Sequence, residues 1–220
     1  MIITELIANR IPPIKTSDSI QNVLDRMDEF CVKHLPVVSE VQFLGVISEE
    51  DILDISHKQA SIASLDLKLP QIYILDTQHL NDALRVFDEQ KLTILPILNH
   101  QMDYLGLLTV HDFVSYLANI TAVTQAGGII VLEISNRDNS LAHIAQIVES
   151  ENAQILSSYT NEIPNSTKIE VTLKINKLDM MPIVASFLRY EYVVSATYNF
   201  ADLNSGNTDR FDEFMKYLNM

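Results

Sequence analysis

His34-Leu35-Pro36-Val37-Val38, followed by Leu44-Gly45-Val46-Ile47-Ser48-Glu49-Glu50-Asp51, is written twice in this chain. The second copy reads Ile94-Leu95-Pro96-Ile97-Leu98 and then Leu105-Gly106-Leu107-Leu108-Thr109-Val110-His111-Asp112. Pro36 and Pro96 are 60 residues apart, whereas Gly45/Gly106 and Asp51/Asp112 are 61 apart, so one extra residue belongs to the second turn. Leu24/Leu84, Asp28/Asp88 and Glu29/Glu89 also match at the shift of 60, so a whole unit is duplicated. A unit of that size is a small domain, longer than most solenoid repeats. Two copies predict a pseudo-symmetric pair with paired clefts.

Outward from these stretches, each repeat reads as strand, helix, strand, strand, helix. Ile11-Pro12-Pro13-Ile14 is extended, because proline suits strand edges and breaks helix interiors. Ser17 or Asp18 is expected to cap a helix whose Ile20, Val23, Leu24 and Met27 keep helical spacing. Leu35 to Val38 and Val41 to Ile47 are the strand pair, and Ser48 opens the next helix. In the second copy Ile72 to Ile74 leads in and Thr77 is the expected cap. Leu80, Ala83, Leu84 and Phe87 form the stripe, and Thr109 opens a helix carrying Phe113, Tyr116 and Leu117.

Gly127-Gly128 ends this pattern. Beyond it come a strand from Ile129, a helix marked by Leu141, Ile144, Ala145 and Val148, and a strand from Gln154. The alternating strand Ile169, Val171, Leu173, Ile175 follows, then a helix capped by Asp179 and a last strand from Tyr192. That order, βαββαβ, is ferredoxin-like. In the acidic tail, Thr208 is expected to cap a short docking helix bearing Phe211, Phe214, Met215 and Leu218. The expected division is repeat 1 at 1–60, repeat 2 at 61–121, linker at 122–128, second module at 129–200 and tail at 201–220. The fold class is α+β.

Composition narrows the function. Fifteen Lys and Arg against 29 Asp and Glu leave a net charge of −14, which repels nucleic acid and anionic membranes. No apolar run reaches the roughly 20 residues a membrane span needs, and the first residues lack the features of a signal peptide. Cys31 is the only cysteine, which excludes an intrachain disulfide and fits a cytoplasmic home. Its place beside an apolar helix stripe predicts a core residue. Six scattered histidines show no His-Glu-x-x-His spacing, and no Gly-x-Ser-x-Gly or phosphate-binding glycine loop is present. No metal site and no catalysis are expected.

The repeat resembles the cystathionine-β-synthase (CBS) domain, whose core is an h-L-P-V-V strand followed by G-h-h-[ST]-x-x-D at a strand-to-helix junction. Gly45 to Asp51 and Gly106 to Asp112 both fit. The resemblance implies a pseudo-twofold tandem pair with a nucleoside cleft at each motif. Gly45 and Gly106 would permit close approach, Ser48 and Thr109 would meet phosphate at helix N-termini, and Asp51 and Asp112 would hold ribose hydroxyls. Apolar strand residues would sandwich adenine: Pro12, Ile14 and Val46 with the first motif, and Ile72, Ile74 and Leu107 with the second. His34 stands where the other copy has Ile94, so the first cleft is expected to prefer a charged nucleotide and the second to tolerate a neutral nucleoside. Ser48 and Asp51, like Thr109 and Asp112, also read as a plain helix-capping pattern that needs no ligand.

The last module resembles an ACT domain by element order. Its loop from Ser135 to Ser140 lacks the glycine usual in amino-acid-binding members, and Asn139 is expected to supply the left-handed turn. Edge-to-edge pairing is its expected role. The whole is similar to acetoin-utilisation-type CBS proteins. That implies a non-catalytic, cytoplasmic regulatory protein binding AMP, ATP or another adenosyl ligand, with no required cofactor, working as a homodimer on an unidentified target. The alternative is a ligand-free assembly scaffold.

Overall fold

The computed structural model describes residues 3–7, 10–135 and 140–199. Two expectations, the left-handed Asn139 and the tail helix from Thr208, lie outside the described residues. The chain forms two compact units, Met1–Tyr116 and Leu117–Met220.

In the first unit each repeat builds a three-stranded sheet. The first is ordered β1 (Ile14–Lys15), β2 (His34–Ser39), β3 (Gln42–Ser48). The second is ordered β4 (Ile74–Leu75), β5 (Ile94–Leu98), β6 (Tyr104–Thr109). The short lead-in strand is parallel to the middle strand, and the last two are antiparallel. A proline inside a middle strand is unusual, since it cannot donate to a neighbour. Pro36 is tolerated because β1 pairs only with Val37 and Val38, and Pro96 because β4 pairs only with Ile97 and Leu98. Each hairpin slips register at its glycine, between the pairs Val37–Gly45 and Val38–Phe43, and between Ile97–Gly106 and Leu98–Tyr104. These are bulges, where glycine is favoured. The extra residue of the second copy lies in the turn from Asn99 to Asp103.

Helix α1 (Ile20–Glu29) buries Ile20, Val23 and Met27, as its spacing requires. The cap is Ser19, not Ser17 or Asp18; its side chain accepts from the Asn22 amide. In the second repeat α3 (Leu80–Gln90) is capped by His79, not Thr77, because its Nδ1 accepts from the Asn81 amide. The expected stripe there holds for Leu80, Ala83 and Phe87, while Leu84 faces solvent. Helices α2 (Glu49–Leu53) and α4 (Val110–Ile120) follow the two strand pairs. Cys31 is exposed rather than core, because the chain turns there through a left-handed φ of 52° just past the end of α1. Ile94 and Leu107 of the second repeat share one buried cluster with Ile14, Val23, Leu35 and Ile47 of the first, so the repeats have a common interior. They also meet through the backbone, where the Tyr104 amide donates to Val41 at 2.8 Å and the Val46 amide to Pro70 at 3.0 Å.

The second unit continues with β7 (Gly128–Ser135), α5 (Leu141–Ser150), β8 (Ile155–Glu162), β9 (Lys168–Ile175), α6 (Met181–Arg189) and β10 (Val193–Asn199). Its sheet is ordered β10-β7-β9-β8 and every pairing is antiparallel. This is the ferredoxin-like arrangement. Ile130, Leu132, Val171 and Leu173 alternate onto the face that packs Ile144, Val148, Ile183 and Phe187 of the helices. Leu141, expected on the stripe, is exposed and Ile147 is buried in its place. Met180 takes the cap position of α6, one residue beyond Asp179, whose Oδ1 still accepts from the Met181 amide.

Candidate functional site

Both strand-to-helix junctions are built alike. At the first, the Ser48 amide and hydroxyl donate to Asp51 Oδ2 at 2.9 and 2.7 Å, and the Asp51 amide donates back to Ser48 Oγ at 3.2 Å. At the second, the Thr109 hydroxyl donates to Asp112 Oδ2 at 2.7 Å, and the Asp112 amide donates to Thr109 Oγ1 at 3.0 Å. The hydroxyl and the carboxylate three residues on are thus locked together in each copy. Across the hairpin, His34 lies opposite Ser48 and Ile94 opposite Thr109. The first amide of each helix is already engaged: Glu49 donates to the Lys33 carbonyl at 2.8 Å and Val110 to the Thr93 carbonyl at 3.1 Å. With α2 only five residues long, its N-terminus contributes little to anion binding; α4, at 11 residues, is the longer dipole.

Exposure separates the expected residues into two groups. Asp51 is exposed, and Ser48, His34, Thr109 and Asp112 are half-buried, so all five reach solvent. Ile14, Ile74, Val46 and Leu107 are at most 1% exposed and fill the interior. Gly45 and Gly106 are buried as well. The close approach at Gly45 is made by the chain itself: a β-carbon there would stand 2.6 Å from Leu69 Cβ and 2.9 Å from the Leu69 carbonyl oxygen. Val46 is itself 1% exposed, so a base could stack on it only if the atoms that cover it moved. Of the outer candidates, Pro12 is exposed and Ile72 half-buried.

His34 is more constrained than its position in the motif indicates. Its Nδ1 accepts from the Thr93 amide at 3.2 Å and lies 3.1 Å from Thr93 Oγ1, which itself accepts from the Lys33 amide at 2.9 Å. Burial holds the imidazole below the ordinary histidine range, against the upward pull of Asp51 and Glu50 and with a small downward push from Lys33. The shift favours the uncharged, hydrogen-bonding form of His34 over a cation. Thr93 escaped the reading of the sequence because its partner lies 59 residues away. The one available signal was a polar residue at the start of an apolar strand, at the position that Lys33 holds in the first copy.

Among the described residues no group of three or more His, Cys, Asp or Glu is placed to hold a metal ion. No described helix is long and apolar enough to cross a membrane. A cavity of about 470 Å³ opens at the β8–β9 hairpin, lined by Glu162 to Ile169, none of which belongs to the junctions.

A duplicated α+β module with matched hydroxyl–carboxylate junctions defines the class: a tandem small-domain pair fused to a ferredoxin-like unit. The CBS domain family matches residues 3–58 and 66–119, half of the chain, and the chain belongs to that family. Among solved structures it is similar to a CBS domain pair/ACT domain protein from Thermotoga maritima (25% identity, 54% of this chain, 98% of that one, TM-score 0.49). It is also similar to the CBS-pair protein CBSX2 from Arabidopsis thaliana (22% identity, 55% and 96% covered, TM-score 0.48). CBSX2 has in addition been solved in complex with AMP (22% identity, 54% and 97% covered, TM-score 0.47).

Proposed function

We propose that this is a non-catalytic regulatory protein that binds an adenine nucleoside or nucleotide at the two junctions and acts in the cytoplasm, as a homodimer, on a target protein. What carries the reading is the hydroxyl–carboxylate pair repeated at equivalent positions of two CBS repeats. In the CBS pattern that carboxylate takes the ribose hydroxyls. A carboxylate has about four acceptor sites, so the bonds made at Oδ2 leave capacity for a vicinal diol. Gly45, Val46, Ile14 and His34 would complete the first site with Ser48 and Asp51, and Gly106, Leu107 and Ile74 the second with Thr109 and Asp112. No resident cofactor is required by this reading.

A second reading has its own observation: the same pair caps α2 and α4 without any ligand, and the aliphatic residues lie in the interior. The chain would then be an assembly scaffold. Thermal denaturation with AMP, ADP, ATP, S-adenosylmethionine and NAD separates the two. A ligand at about 100 times its Kd adds about 2.7 kcal/mol of stability, which for a chain of this size raises Tm by about 5–10 °C. No shift with any of them would favour the scaffold.

A further inference from the structure

The two junctions are joined by one hydrogen-bonded path. The first amide of α2, Glu49, donates to the Lys33 carbonyl, and the Lys33 amide donates to Thr93 Oγ1 at 2.9 Å. The Thr93 carbonyl in turn accepts from Val110, the first amide of α4. Thr93 also donates its own amide to His34 Nδ1, the residue opposite Ser48. A single half-buried threonine therefore touches the backbone that anchors both helix starts. The path has no symmetric counterpart, because the equivalent of Thr93 in the first copy is Lys33, which has no hydroxyl, and the equivalent of His34 is Ile94.

We infer that Thr93 is a positioning residue that couples the two junctions, so that a nucleotide held at Asp51 tightens the start of α4 at Asp112. The inference rests on the nucleotide-binding reading. Its physical content is that fixing α2 fixes Lys33, which fixes the Thr93 hydroxyl and with it the carbonyl that holds Val110. Thr93 precedes β5 by one residue and takes no part in strand pairing, so the pairing of the sheet does not need its hydroxyl.

The test uses the full chain carrying Asp112→Asn, so that only the first junction binds. Calorimetry with AMP and ATP establishes binding, and amide hydrogen exchange at Val110 is then compared with and without the bound nucleotide. Coupling between sites typically amounts to fivefold or more, so exchange at Val110 should slow by at least about fivefold. Adding Thr93→Val should abolish that slowing while heat of binding persists, and Thr93→Ser should restore it. Slowing that survives Thr93→Val, or that is absent with Thr93 in place, overturns the inference and leaves the nucleotide reading intact. Absence of binding heat in the chain with both aspartates present overturns that reading, and the inference with it.

Discussion

At the scale of single residues, the carboxylates do two jobs that can be measured apart. As partners in helix starts, Asp51 and Asp112 contribute about 1 kcal/mol each through the dipole and the hydroxyl bond. Alanine at either position should thus lower Tm of the ligand-free chain by only about 2–4 °C; unfolding at room temperature would give these residues to structure alone. His34 makes a pH prediction. Its folded pKa is depressed by burial below the 6.5 of the free side chain, so the unfolded chain binds the extra proton more readily. Its stabilising contribution is complete above pH 6.5 and is lost as pH falls from there through the folded value. Urea midpoints at pH 7.5, 6 and 5 should fall more steeply for the native chain than for His34→Gln, whose amide oxygen can still accept from Thr93. Parallel curves would contradict this role. The Ser–Asp and Thr–Asp pairs were legible because hydroxyl and carboxylate are three residues apart in each copy. The His34–Thr93 contact was not, since only the pairing of the repeats brings those positions together.

At the scale of elements, the same contrast between local and non-local causes recurs. Alternation over Lys168–Ile175 and helical spacing over Ile20–Glu29 each identified an element, but β9 is buried on both faces from Val171 onward, Thr172 and Lys174 included, which the alternation did not show. Caps were less legible: Ser17, Asp18, Ser19 and Thr77, His79 are all polar, and the backbone turn decides which one faces the free amides. Gly45 illustrates a residue whose reason was legible only in part. Its need for room was foreseen, but the neighbour is Leu69, and its φ of +138° adds a second demand for glycine. Gly45→Ala should cost about 1–3 kcal/mol, read as a lower denaturant midpoint with unchanged slope. An unchanged midpoint would mean that neither the contact with Leu69 nor the positive φ demands glycine there.

At the scale of the molecule, the two units carry separate interiors, one centred on Ile14, Leu35, Ile47, Ile94 and Leu107 and the other on Phe187 with the sheet of β7 to β10. Phe187→Ala should cost about 3–5 kcal/mol, and hydrogen exchange should accelerate in β7, β9 and β10 while protection in β2, β3, β5 and β6 is kept. Acceleration of equal size in both groups would contradict separate interiors. Duplication made the first unit legible because every feature could be checked against its copy. The second unit had element order alone, and that sufficed for the fold but names no ligand. The net charge of −14 leaves small molecules and proteins as the natural partners. The most direct measurement is calorimetric titration of AMP and ATP into the native chain, Asp51→Asn and Asp112→Asn. Two binding events in the native chain, with one lost in each variant, is the predicted result. Unaltered titrations in both variants, or no heat from the native chain, would contradict nucleotide binding at these junctions.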